Sequence, residues 1–339
     1  MGTKKSSHKS SVLLTGRDLK ILQKLNAAGW LTTRQIRDYF FPSKSANAVS
    51  KRLRKLIEGN YLAMARTSST KPGLYRLAGQ GKLTLLEHTQ RGEEVVSIPT
   101  HLPRKLKHFT AINDLRFYFE QTIGRAAQLL YFFSERELGR YYEHPQSIRD
   151  STIALLRGYR LIPDALAKLR FVNDGETREV TLAIEYDAGT EHTAFFGRTK
   201  VKQYAALYAQ NYDHIGDFKV LTFADRTGRI VSLMKEAVKH LPPQHLFYFA
   251  LLEKLEQCGW AAYEIFLDPY DFFAPVRRGN QITILEREIH AEALPTHALV
   301  ALPATSPRSV SSRGEREDRI TLQNEQDYSS TVEPLYRLQ

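Results

Sequence analysis

The chain has 339 residues, 42% apolar and 11% aromatic, enough to bury two hydrophobic cores. Its single cysteine, Cys258, rules out a disulfide framework and a cysteine-built zinc site, and no apolar run nears the roughly 20 residues that span a bilayer. The serine-rich, basic start over Met1 to Ser11 lacks the apolar stretch of a signal peptide, so a cytoplasmic protein without membrane contact is expected. The net charge of +11 is uneven: residues 1–110 carry 21 Lys and Arg against 6 Asp and Glu, and the remainder 27 against 31. A basic end of this kind suits a polyanion, because each cation placed on a phosphate releases condensed counterions. Charge alone would equally serve solubility, so the pattern of elements has to decide.

After a flexible basic start over 1–12, three helical patterns follow with their own punctuation. Thr15-Gly16-Arg17-Asp18 reads as a capping box, with Leu19, Leu22 and Leu25 behind it and Gly29 as the stop. Thr32 to Gln35 repeats the box and opens a shorter helix carrying Ile36, Tyr39 and Phe40, which Pro42 ends. The third runs from about Ser45 to Glu58, with Val49, Leu53, Leu56 and Ile57 as its buried stripe. Its other face, with the residue before it, holds Lys44, Asn47, Lys51, Arg54 and Lys55. Asn and Arg pair with base edges and Lys neutralises phosphates, so this is the composition of a recognition helix. Tyr61 to Arg66 and Leu74 to Ala78 then read as strands joined by a polar turn containing Lys71, a basic wing. Three capped helices and a basic hairpin make a winged helix-turn-helix over 13–95, with double-stranded DNA as its partner and Lys71 among the DNA-facing residues. A winged helix that serves only protein contacts is the competing reading.

A second domain is expected over 104–300. Arg104 to Ile123 is apolar almost all round and reads as a buried helix, and Leu129 to Phe133 as a strand. Gly158 to Val172 and Glu179 to Asp187 read as strands flanking the turn Asn173-Asp174-Gly175. A helix over Thr193 to Gln210, a strand over Phe218 to Phe223, helices over Ile230 to His240 and Leu246 to Gln257, and a strand over Ile282 to Ile289 complete an α/β arrangement with a mixed sheet. From Ala304 the chain turns polar, and 304–339 is expected to be disordered.

Carboxylates stand here where a structural strand would not choose them. Asp164 lies in the otherwise apolar run Leu161 to Leu166, and the two-residue period of a strand puts Glu185 and Asp187 on one face, opposite Ile184 and Tyr186. Crowded carboxylates repel unless a cation sits between them, and Mg²⁺ or Mn²⁺ takes such ligands while leaving positions for a phosphodiester. Asp164, Glu185 and Asp187 are therefore the candidate metal ligands. Lys200 falls on the helical face of Phe196, Tyr204 and Leu207, aimed inward, whereas Lys202 falls on the opposite side with Phe195. An inward lysine beside carboxylates can stabilise the charge that develops on phosphate, which makes Asp164, Glu185 and Lys200 the candidate catalytic set. A buried Lys200–Glu185 ion pair without chemistry gives the same pattern.

Pro163-Asp164, the Glu185-x-Asp187 strand, Lys200 with Tyr204, the Lys107 to Arg116 stretch and the run from Glu185 to Glu191 together resemble the replication-relaxation family, which includes relaxases of the MobC type. The likeness covers roughly Leu13 to Phe223. It implies a winged helix joined to a domain like the PD-(D/E)XK restriction nucleases, an α+β protein that nicks plasmid or other mobile DNA with Mg²⁺ or Mn²⁺, alongside other mobilization or replication proteins. In the usual nuclease pattern a lysine stands two residues after the glutamate; here that position is Asp187, and Lys200 on the next helix takes its place. The same substitution fits a non-enzymatic DNA-binding regulator or replication accessory protein. Other chemistries find less support. There is no His-x-His cluster, Tyr141-Tyr142 reads as a packing edge rather than a nucleophile, His108 as a helix residue satisfied by its neighbours, and Glu120 and Glu135 as solvated charges. Gly79-Gln80-Gly81 lacks the Lys-Ser or Lys-Thr of a phosphate loop.

Overall fold

The computed structural model describes residues 12–66, 73–88, 96–122, 127–143, 150–173, 176–258, 266–278 and 281–286. The basic start, the wing turn with Lys71, the hairpin tip at 174–175 and the polar tail lie outside the described residues.

Chain order begins with α1 (Gly16–Ala28), β1 (Leu31–Thr32), α2 (Thr33–Phe40), α3 (Ala46–Glu58), β2 (Leu62–Ala65), β3 (Leu74–Leu77) and α4 (Gly79–His88). Both expected capping boxes form: Thr15 with Asp18 starts α1, and Thr32 with Gln35 starts α2. Each supplies partners for helix N–H groups that would otherwise be orphaned, worth about 1 kcal/mol. Ile21, Leu22 and Leu25 of α1, Ile36 and Phe40 of α2, and Val49, Leu53 and Leu56 of α3 meet in one core. The three strands form an antiparallel sheet in the order β1-β3-β2.

Two of these elements escape sequence reading. β1 is two residues long and exists because Leu31 and Thr32 pair with Tyr75 and Leu74, some 40 residues away. α4 opens on two glycines that read locally as breakers. A Cβ at Gly81 would stand 2.3 Å from the Tyr61 carbonyl oxygen, so the glycine is there for close approach rather than for a turn.

The second half contains α5 (Leu106–Thr122), β4 (Gln128–Ser134), α6 (Glu135–Glu143), α7 (Ser151–Gly158), β5 (Ala165–Asn173), β6 (Glu176–Asp187) and α8 (Thr193–Phe196). A π turn over Gly197–Val201 leads into α9 (Lys202–Gln210), followed by α10 (Tyr212–Ile215), β7 (Asp217–Ala224), α11 (Thr227–Lys239), β8 (Phe247–Leu251) and α12 (Leu252–Cys258). The short α13 (Pro269–Phe272) precedes a hairpin of β9 (Phe273–Arg278) and β10 (Gln281–Glu286). Five strands form a mixed sheet in the order β4-β5-β6-β7-β8, antiparallel up to β6 and parallel beyond it. One face packs Ala183, Val220 and Phe249 against Val201, Tyr204 and Leu207 of the π turn and α9 and against α11; the other packs Leu182, Ile184, Leu221 and Phe223 against Ala111, Ile112, Leu115 and Phe119 of α5.

Two segments differ from expectation. The stretch read as a helix over Leu246 to Gln257 is a strand, β8, followed by α12; a strand buried on both faces is a continuous apolar run whose period cannot be told from a helix. The strand expected from Gly158 starts only at Ala165, because Asp150 caps α7 through bonds from Thr152 and Ile153 N–H and draws Ser151–Gly158 into a helix.

α5 is not simply an apolar rod. Phe117 joins the N-terminal core and its ring lies 4.3 Å from that of Tyr39. Its polar residues reach the same way: Asp114 accepts from Gln35 Nε2 at 2.9 Å, and Glu120 accepts from Lys24 Nζ at 2.6 Å and Tyr39 OH at 2.8 Å. Arg136 of α6 adds bonds to the Asn26 carbonyl and to Ser97 Oγ. The boundary expected near 95–104 is thus bridged by a helix that belongs to both cores, and Glu120, read as a solvated charge, is a strut.

Candidate functional site

The Glu185 side chain leaves β6 on the face covered by α9 and is only 5% exposed. Its Oε1 accepts from Lys200 Nζ at 3.0 Å and from the fully buried Tyr204 OH at 2.7 Å. Lys200 also donates to the Ile162 carbonyl at 3.1 Å, which ties it to the segment leading to Asp164. Asp164, just before β5, presents Oδ2 to the Tyr186 N–H at 2.8 Å and to His108 Nε2 at 2.9 Å. Antiparallel pairing of β5 with β6, Ala165 opposite Ile184, brings the two acids to the same sheet end. Asp164, Glu185 and Lys200 therefore converge, with helical phase carried through the π turn so that Phe196, Lys200 and Tyr204 share the inward side. Lys202 is exposed, as its phase requires.

Burial is the largest influence on Glu185 and pushes its carboxyl up to about 7, against the opposing pull of Lys200; the charge of Asp164 pushes the same way as burial. For Lys200, burial disfavours the charge but Glu185 and Asp164 outweigh it, and its pKa is raised. His108 behaves likewise: burial opposes protonation, the Asp164 contact favours it more, and the net direction is up. Sequence reasoning passed over His108 as an ordinary helix residue. Its signal, had it been read, was an imidazole in the first turn of the helix that faces the strand ends.

Asp187 has a partner of its own. Although it shares a face with Glu185, its carboxylate is taken by Arg229 of α11, which donates to Oδ1 at 3.1 Å and to Oδ2 at 2.6 Å, and Oδ1 also accepts from the Gly189 N–H at 2.5 Å. A guanidinium two-pronged on a carboxylate makes a strong charge-assisted pair, so Asp187, unlike Asp164 and Glu185, has both oxygens engaged. Among the described residues, no group of three or more His, Cys, Asp and Glu side chains gathers to hold a metal ion. The donor set that does converge still suits a hard divalent ion of the Mg²⁺ kind, which uses one or two carboxylates and fills its other positions with water and phosphate oxygens. Each acid has one oxygen fixed by neighbours, Oδ2 of Asp164 and Oε1 of Glu185, and among the described residues no hydrogen bond reaches the other oxygen of either. Beside Glu185 in register lies Thr222, whose buried hydroxyl finds no partner among the described residues.

A second surface stands on α3. Lys44, Asn47, Lys51, Arg54 and Lys55 are all exposed, and among the described residues none makes an ion pair. Arg52, between them, turns inward onto Asp18, which is 1% exposed. Glu135, exposed at the start of α6, donates its N–H to the Asp164 carbonyl at 2.9 Å, and its charge helps to raise the pKa of both Lys200 and His108, so it stands at the edge of the carboxylate pair; the Tyr142 OH donates to the Leu161 carbonyl. No helix of the described residues is long and apolar enough to cross a membrane.

No match is found among curated proteins or among solved structures. A family model described as replication-relaxation matches residues 22–221, a span that runs from α1 through α3, Asp164, Glu185 and Lys200 into β7, and the chain belongs to the replication-relaxation family.

Proposed function

We propose that this protein is a DNA-nicking enzyme of the relaxase type, acting on plasmid or other mobile DNA, in which a winged helix grips the duplex and a nuclease-like domain cuts one strand. Membership of the replication-relaxation family favours a role in plasmid replication or mobilization. The α5-β4-β5-β6-α9-β7 succession, with its mixed sheet, supports the PD-(D/E)XK-like reading of the second half, and the β1-β3-β2 sheet behind three helices supports the winged helix.

The observation that carries the proposal is the convergence of Asp164, Glu185 and Lys200, with one oxygen of each acid held and the other without a hydrogen bond among the described residues. Those oxygens would hold Mg²⁺ or Mn²⁺. When bound, the ion supplies a Lewis acid for the scissile phosphate and lowers the pKa of water. Lys200, held between Glu185 and the Ile162 carbonyl, contributes positive charge where the phosphate gains negative charge. The exposed cations of α3 bind duplex phosphates and base edges. Partners beyond DNA would be other mobilization or replication proteins.

The test is conversion of supercoiled plasmid from the protein's own host to open circles with Mn²⁺ or Mg²⁺ against a chelator control. Asp164→Ala, Glu185→Ala and Lys200→Ala should each reduce nicking by at least about a hundredfold while duplex binding persists. A wild type that binds its plasmid but never nicks it, with either metal, would give the function to a non-enzymatic regulator with a nuclease-like fold.

A further inference from the structure

The helix that delivers Lys200 has an outer side that the proposed cleavage does not use. Phe195 is 49% exposed there, an unusual position for an aromatic ring, while its neighbour Phe196 is buried. Arg198 and Lys202 follow at spacings of three and four, both exposed. Arg198 engages the Ala194 carbonyl through Nε, and among the described residues neither cation makes an ion pair. From His192 to Tyr212 the chain carries three Lys and Arg and no acid, although the chain beyond residue 110 carries more acids than bases. With Lys200 paired to Glu185, Arg198 and Lys202 remain beside an exposed ring, which is what a polyanion with accessible π faces recognises.

We infer that the outer side of α8, the π turn and α9, formed by Phe195, Arg198 and Lys202, is a binding platform for single-stranded DNA. Duplex DNA hides its base faces in the stack, so a lone exposed ring offers it little; an unpaired base stacks on such a ring, and two cations spaced about 6 Å apart along the helix axis accept phosphates of one strand. Placement fits the occupant. Lys200, on the inward side, faces the carboxylate pair, and a helix with its side chains is roughly 10–12 Å across. A strand leaving the pocket thus needs only a short step to reach Phe195. Lys200 and Arg198 both lie on the π turn, an element frequent at functional sites. The platform rests on the nicking reading for its purpose, since cleavage in a supercoil is what would free a strand end there.

The measurement is fluorescence anisotropy of a labelled oligothymidine and, separately, of a labelled duplex, with the full chain in chelator so that no cutting enters. Phe195→Ala should weaken oligothymidine binding about tenfold and leave duplex binding unchanged. Arg198→Ala with Lys202→Ala should lower the salt slope for oligothymidine by roughly 1.4, the loss of two phosphate contacts on a single strand. Phe195→Trp should retain affinity and show indole fluorescence quenched by the oligonucleotide. All three side chains are exposed, so circular dichroism should be unchanged. Oligothymidine affinity within twofold of wild type in the triple Ala variant would overturn the platform, as would equal losses for both DNAs. A shift of sedimentation on Phe195→Ala without a change in anisotropy would also overturn it and assign the side to a second copy of the chain. Because binding is read without metal, a platform that holds beside an absence of nicking would sink only the cleavage reading.

Discussion

Lys51, Arg54 and Lys55 on α3 and Lys200 at the sheet end are cations that face DNA in the proposed function, yet the protein handles them in opposite ways. On α3 they stand in solvent, and among the described residues none makes an ion pair, so their charge is available to any phosphate that approaches. At the sheet end the cation is half-buried and bonded to the buried Glu185 before any substrate arrives. Exposed unpaired charge gives affinity and salt dependence, and stabilises the fold little. Buried paired charge costs desolvation and returns fixed geometry, which a reaction needs and simple binding does not. Arg52 sharpens the contrast within one helix, since it lies between Lys51 and Arg54 and yet is spent on Asp18.

The largest effect expected from breaking that comparison is on binding. Replacing Lys51, Arg54 and Lys55 together by Ala should weaken duplex affinity on the order of a hundredfold and lower the salt slope by roughly 2.7, three lost phosphate contacts at about 0.9 each. A titration across salt concentrations reads both, and an unchanged slope would remove α3 from the interface.

Arg52→Ala should do the reverse. It leaves Asp18, 1% exposed, with only its Thr15 partners, so denaturant unfolding should lose about 2 kcal/mol while the salt slope of DNA binding stays that of wild type. Loss of slope without loss of stability would mean that Arg52 leaves Asp18 to contact DNA.

A smaller effect should appear in the pH dependence of metal-free stability. Glu185 has its carboxyl raised from 4.5 to about 7, so the folded chain holds that proton more tightly than the unfolded chain. Its contribution is fully present below pH 4.5, declines as pH rises toward about 7, and is absent above. Thermal melts in chelator should show the wild type losing more stability across this window than Glu185→Gln. Parallel profiles would show that the carboxyl titrates in the ordinary range and that the pocket is wetter than its burial indicates.

The helices of the N-terminal half were legible because their signals are local. Thr15 with Asp18, Thr32 with Gln35 and Ser45 each announce a start within four residues, and the apolar stripes behind them set the buried face. The inward phase of Lys200 and the paired faces of Glu185 and Asp187 were legible for the same reason, since helix and strand periods are short-range properties. β8 was not, because burial on both faces erases its period, and neither was β1, which two residues form only against a distant partner.

The sequence by itself determined the uneven charge, the capped helices, the cationic face of α3 and the faces from which Glu185 and Lys200 leave their elements. What only the tertiary structure decided is the company each side chain keeps. Asp187 points the same way as Glu185, but α11 brings Arg229 onto it, and the first turn of α5 brings His108 onto Asp164. Glu120 meets Lys24 and Tyr39 for the same reason. Periodicity fixes the face from which a side chain leaves its own element; which charge it then meets depends on packing between elements far apart in the chain, and no local pattern encodes that.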